Sequence, residues 1–166
     1  MSIPGLEGWP RRIDWSEFQE LSERPPGARE NAQIDSVGLT SGLQAGREGG
    51  RYRVAELRIR VQVNIAGSWV VTDRKSDVLL AHEQGHYDIT GLASRDLLAD
   101  LMALREPTVR ALQEAMDRTL AASRRRAQAL SDRYDLDTAH GSDVAAQTAW
   151  QRRIERAIQD RSRLSP

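Results

Sequence analysis

No cysteine occurs in the chain, which excludes disulfide stapling and thiolate metal sites and leaves His, Asp and Glu as the strong ligands available. Aromatic residues are sparse, with a single phenylalanine, and neither sign of charge is in excess: 24 Lys and Arg stand against 24 Asp and Glu. Without a net field, neither nucleic acid nor an anionic membrane is expected as a partner. No apolar run approaches the roughly 20 residues a membrane-spanning helix needs, and MSIPGLEGWPRRIDW has neither the basic start nor the apolar stretch of a secretory signal. This leaves the compartment open. The 166 residues suffice for one domain with a core and are too few for two, so 1–166 is expected to be a single unit.

Proline nearly disappears after the middle. Beyond about Ser76 only Pro107 precedes the terminal Pro166, whereas RPPGA (24–28) and AGREGG (45–50) punctuate the first half with loop signals. Residues 1–75 therefore read as strands and loops, and 76–163 as mainly helical. The expected fold is α+β, with a small, largely antiparallel sheet packed on the first helix and two further long helices. From Ala55 to Ile65, apolar residues alternate with Glu56, Arg58, Arg60, Gln62 and Asn64, a period of two that predicts a half-buried strand. Trp69, Val70 and Val71 follow a short turn and are expected to pair back on it as a hairpin. Val37–Leu43 and Ile13–Phe18 are weaker strand candidates.

A first helix is predicted from Ser76 or Asp77 to about Arg105, with His82, His86, Ile89, Ala93, Leu97, Leu101 and Leu104 along one stripe. A second starts at Pro107 or Thr108 and carries apolar residues as far as Tyr134. The stretch DLDTAHG (135–141) reads as a loop, and a third helix follows over about 142–162, with Val144, Gln147, Trp150, Ile154 and Ile158 on one face.

The chemistry concentrates in HEQGH, His82 to His86. Residues four apart share a helix face, so both histidines can present a ring nitrogen to one ion, and Glu83 sits where it can reach a water without ligating. This is the arrangement of zinc hydrolases, in which the metal polarises a water and the glutamate takes its proton. Gly85 inside the motif allows another segment to approach the helix closely. A catalytic zinc takes three protein ligands and keeps one position open. The third ligand is His140, the only other histidine, or a carboxylate from Asp135, Asp137 or Asp88. The same aspartates are candidates to hold the outer ring nitrogens, Asp88 first among them. Tyr134 is a candidate oxyanion donor or a packing residue, and Gln147 either a buried hydrogen-bonding group near the site or a polar residue at the edge of its stripe.

These residues resemble a family of bacterial, usually secreted, zinc-dependent proteases first catalogued as a domain of unknown function. The family is marked by an HEQGHFDI-like helix, a YD-x-x-T-x-HG element and a following Q-x-x-W. Here they stand as HEQGHYDI (82–89), YDLDTAHG (134–141) and Gln147 with Trp150, while IDWSEF (13–18) and GSWVV (67–71) resemble two further family segments. The resemblance implies a zincin-like metallopeptidase domain acting on a protein or peptide substrate. It implies zinc held by His82, His86 and His140, with Glu83 as general base. Tyr87 replaces the usual phenylalanine, and Gly91 stands where an acidic residue is expected. Readings from other classes are an inactive or binding module with a structural metal, and a zinc amidase acting on a non-peptide amide. Of the remaining features, Arg124, Arg125 and Arg126 read as a solvated helix face, and Trp69 as a core anchor or a cleft wall.

Overall fold

In the computed structural model, which describes residues 3–165, six strands precede three helices. The strands are β1 (Leu6–Glu7), β2 (Gln19–Leu21), β3 (Ala32–Gln33), β4 (Ser36–Glu48), β5 (Arg51–Val63) and β6 (Trp69–Val71). The helices are α1 (Asp77–Ala103), α2 (Val109–Thr138) and α3 (Val144–Gln159). The chain is thus α+β, as its two halves suggest.

The sheets depart from the expected antiparallel pattern. There are two of three strands each, ordered β1-β5-β4 and β2-β6-β3, and each joins one parallel pair (β1 with β5, β2 with β6) to one antiparallel pair. The alternating segment is indeed a strand, β5, with Val54, Leu57, Ile59 and Val61 buried. Its hairpin partner is β4, however, and the Trp69–Val71 strand belongs to the other sheet. The reason lies in Gly49 and Gly50, whose φ values of 56° and 78° make the two-residue turn that a right-twisted hairpin needs between Glu48 and Arg51. Much of AGREGG is therefore strand. Ile13–Phe18 is not: Asp14 and Glu17 form a capping box around a single 3₁₀ turn, Trp15–Glu17.

Helix α1 is the centre of the molecule, capped by the Ser76 hydroxyl, which accepts from the Leu79 N–H. Its burial exceeds one stripe, because sheets and helices cover it on several sides. Tyr87, Ile89, Leu92, Leu98 and Leu101 enter one core with Ile59 and Val61 of β5, Leu112, Leu130 and Tyr134 of α2, and Trp150 and Ile154 of α3. Contacts fix the directions. His82 meets Asp135 and His86 meets Ser131, so α2 runs antiparallel to α1; Gln147 meets His82 and the Ala157 carbonyl meets Arg95, so α3 runs in the same sense as α1. No helix is long and apolar enough to cross a membrane among the described residues.

Two glycines of α1 are explained by neighbours. A Cβ on Gly85 would enter the Tyr134 ring, and one on Gly91 would collide with the Trp9 indole. The position expected to be acidic is thus filled by a packed tryptophan, whose Nε1 donates to Asp88 at 2.9 Å.

Candidate metal centre

The four-residue spacing of His82 and His86 on α1 brings their Nε2 atoms to 3.2 Å. Opposite them, α2 continues one turn further than the sequence suggests, and the reversal comes only at Ala139, His140 and Gly141, all with positive φ. That extra turn carries Asp135. Its Oδ1 lies 3.1 Å from His82 Nε2 and 3.0 Å from His86 Nε2. His82, His86 and Asp135 thereby form a group that could hold a metal ion, with all donor atoms within 4.8 Å of one another.

The donor chemistry fits a cation. Tyr134 Oη donates to the His82 carbonyl (3.2 Å) and so accepts from Gln147 Nε2 (2.7 Å), which turns Gln147 Oε1 toward His82 Nδ1 at 3.1 Å. Nδ1 must then carry the proton, and Nε2 of the neutral ring presents a lone pair to Asp135. Ser131 Oγ sits 2.8 Å from His86 Nδ1 and can hold that ring the same way. Two lone pairs and a carboxylate oxygen within 3.2 Å of one another repel unless a proton or a metal lies among them. The separations agree within a few tenths of an ångström with the edge of a tetrahedral zinc shell, about 3.3 Å for bonds of about 2.0–2.1 Å.

The pKa shifts express the same crowding. Burial would lower His82, but the Asp135 hydrogen bond, the Glu83 charge and Gln147 overcome it and leave the imidazole raised. Asp135 is also opposed by burial, yet the two histidines hold its carboxyl well below the usual range. Glu83, 2% exposed, is raised by burial against the pull of His86, His82 and the Ile34 N–H, which donates to its Oε2 at 2.8 Å.

These groups line one end of a groove of about 860 Å³. Helix α1 forms its floor, residues 30–40 one wall and α2 the other. Three contacts lay the strand wall along α1: Ile34 on Glu83, the Ser36 hydroxyl on Thr90 (2.7 Å), and Gly38 against Ser94.

His140 is half exposed at the rim, its Nδ1 3.4 Å from the same Asp135 oxygen, outside the three-donor group. Tyr134 is fully buried and stacked on His82 at 4.8 Å; its hydroxyl is engaged behind that residue and does not line the groove. Asp88 meets neither histidine of the motif: it accepts from Trp9 Nε1 and Gln84 Nε2 on another side of α1. Asp137 pairs with Arg133 and accepts from Trp150. Trp69 does not line the groove, whereas Gln147 is buried at the site. Ser131 escapes the sequence reading, since a lone serine on a helix carries no signal until His86 is placed beside it.

A family model described as a bacterial protein of unknown function (DUF922) matches residues 18–141. No curated protein and no solved structure matches the chain.

Proposed function

The chain belongs to the bacterial family of unknown function DUF922, and from that premise we propose that it is a zinc-dependent peptidase. The observation that carries the reading is the convergence of His82, His86 and Asp135 beside a buried glutamate at the end of an open groove. A site that only tied helices together would have no use for Glu83 beside it. His82 and His86 would hold the ion through Nε2 and Asp135 through Oδ1, with His140 at the rim to steady Asp135. Zinc supplies Lewis acidity there, polarising a carbonyl and lowering the pKa of a water.

The remaining work belongs to the protein. Glu83 accepts the Ile34 N–H through Oε2, which leaves Oε1 without a protein partner among the described residues. Its raised pKa suits a group that takes a proton from water and returns it to a leaving amine. Gln147 and Ser131 keep the outer ring nitrogens occupied so that both Nε2 atoms stay turned to the site. β4 is an outer strand of its sheet and borders the groove, so an extended substrate can lie beside it with its carbonyl near Glu83.

The test is zinc content and peptide cleavage for wild type and Glu83→Gln. The expected result is bound zinc in both and hydrolysis only in wild type. Zinc bound by both, with no cleavage of any peptide by wild type, refutes the peptidase; no zinc uptake at neutral pH refutes the metal site.

A further inference from the structure

Beyond the histidines the groove does not end. From His86 to Leu97 the floor advances about 16 Å at roughly 1.5 Å per residue, and an extended chain at about 3.3 Å per residue covers that length with about five residues. The floor along this arm alternates Ile89, Ala93 and Leu97 with the hydroxyls of Thr90 and Ser94, with Val37 of β4 and Leu120 of α2 on the walls, and none of these carries a charge. The charges are unevenly placed. Glu30, Asp35, Asp132 and Asp135 line the groove together with Glu83, and among the described residues Arg124 is the one basic side chain in its lining apart from histidine. Arg124 stands two turns of α2 before Ser131, about 10 Å along the arm. Its neighbour Arg126 pairs with Asp100 at 3.2 Å, but Arg124 makes no side-chain hydrogen bond or ion pair among the described residues. An unpaired guanidinium over an uncharged trough, in a lining whose other charges outside histidine are acidic, is matched by a carboxylate at the end of an uncharged chain.

We propose that this arm is a substrate subsite for three to five extended, uncharged residues on one side of the scissile bond, closed by a carboxylate that pairs with Arg124. The ligand's being a peptide rests on the peptidase reading above. The carboxylate can be a chain terminus or an acidic side chain, and the probes separate the two.

Three fluorescein-labelled six-residue peptides of alanine and leucine serve. One ends in a free carboxylate, one is amidated, and one is amidated with glutamate in last place. Binding is read by fluorescence anisotropy on zinc-loaded, full-length Glu83→Gln protein, which prevents turnover. At least one carboxylate peptide is expected to bind about three- to tenfold more tightly than the neutral amide, the range for a charged pair in a partly exposed setting. The preference should vanish with Arg124→Ala added. With Arg124→Glu it should turn toward an amidated peptide ending in lysine, a reversal that misfolding cannot produce. Equal binding of all three peptides, or a preference that survives Arg124→Ala, overturns the subsite. Cleavage by wild type without any such preference removes the subsite and leaves the peptidase, while the preference without cleavage by wild type does the reverse.

Discussion

Replacing Gly85 by alanine should have opposite effects on stability depending on what residue 134 is. A Cβ at position 85 would lie 2.5 Å from Cζ and 2.8 Å from Cε1 of Tyr134, and closer still to the hydroxyl. The ring cannot retreat easily. It is fully buried, stacked on His82 at 4.8 Å and set edge-on to His86 at 4.9 Å and to Trp150 at 5.5 Å. Overpacking of this kind costs about 1–3 kcal/mol, and an overlap with a confined ring belongs at the upper end. Better helix propensity offsets about 1 kcal/mol, leaving a net loss of about 2 kcal/mol. For a chain of this length that is a fall in Tm of about 4–8 °C. In a Tyr134→Leu background the obstructing ring atoms are gone, and Gly85→Ala should instead stabilise by about 1 kcal/mol. The coupling between the two positions is then about 3 kcal/mol, measured by urea unfolding of the four proteins of the cycle. Gly85→Ala that is neutral or stabilising in the wild-type background would refute the packing argument.

Four further outcomes follow from the site. Asp135→Ala should weaken zinc binding far more than His140→Ala, because only Asp135 lies in the three-donor group; competition with a chromogenic chelator ranks them, and the opposite order would make His140 the ligand. Gln147→Leu should lower zinc affinity about 10- to 100-fold by freeing the His82 Nδ1 proton, with little change in metal-free helix content by circular dichroism. Peptide hydrolysis by Glu83→Gln should fall about 10²- to 10⁴-fold at unchanged zinc content, the contribution expected of a general base. The Tm gain from zinc should grow between pH 6 and 8. His82, raised above its ordinary 6.5, stabilises the metal-free fold below that value and loses this as pH rises through the folded pKa, while the metal needs the ring deprotonated. A zinc-induced gain that shrinks with rising pH would contradict the assignment of His82.

Where the sequence was legible, one physical pattern dominated. β5 separates apolar and charged residues on alternate positions, so its period was plain, and α1 combines a capping serine with chemistry at helical spacing. β4 was legible only over Val37–Leu43, a weaker candidate that is indeed strand; the strand is largely exposed, has a register shift near Gln44, and lacks the alternation that would reveal the rest of it. Its full length came from pairing with β5, a contact between distant residues. The parallel pairs β1 with β5 and β2 with β6 are two and three residues long, too short for periodicity to register. The metal ligands divided the same way. His82 and His86 are related by local helix geometry, whereas Asp135 sits in DLDTAHG, whose polar composition imitates a loop. Helix nonetheless runs on to Thr138, and three left-handed residues then end it.

That placement has a mechanical consequence for the centre itself. Asp135 lies in the last turn of α2, immediately before a reversal of three consecutive left-handed residues, two of which are not glycine. Such conformations persist in non-glycine residues only where the surroundings hold them. The holders can be named. The Gly141 N–H donates to the Thr138 hydroxyl, the Asp143 N–H donates to the Thr138 carbonyl, and Gly141 packs so closely on the His82 ring that a Cβ would press into it. The reversal that places Asp135 is therefore braced by the histidine Asp135 faces, and Gln147, just beyond the reversal, fixes that histidine from behind. Ligand position and loop conformation are one packing problem.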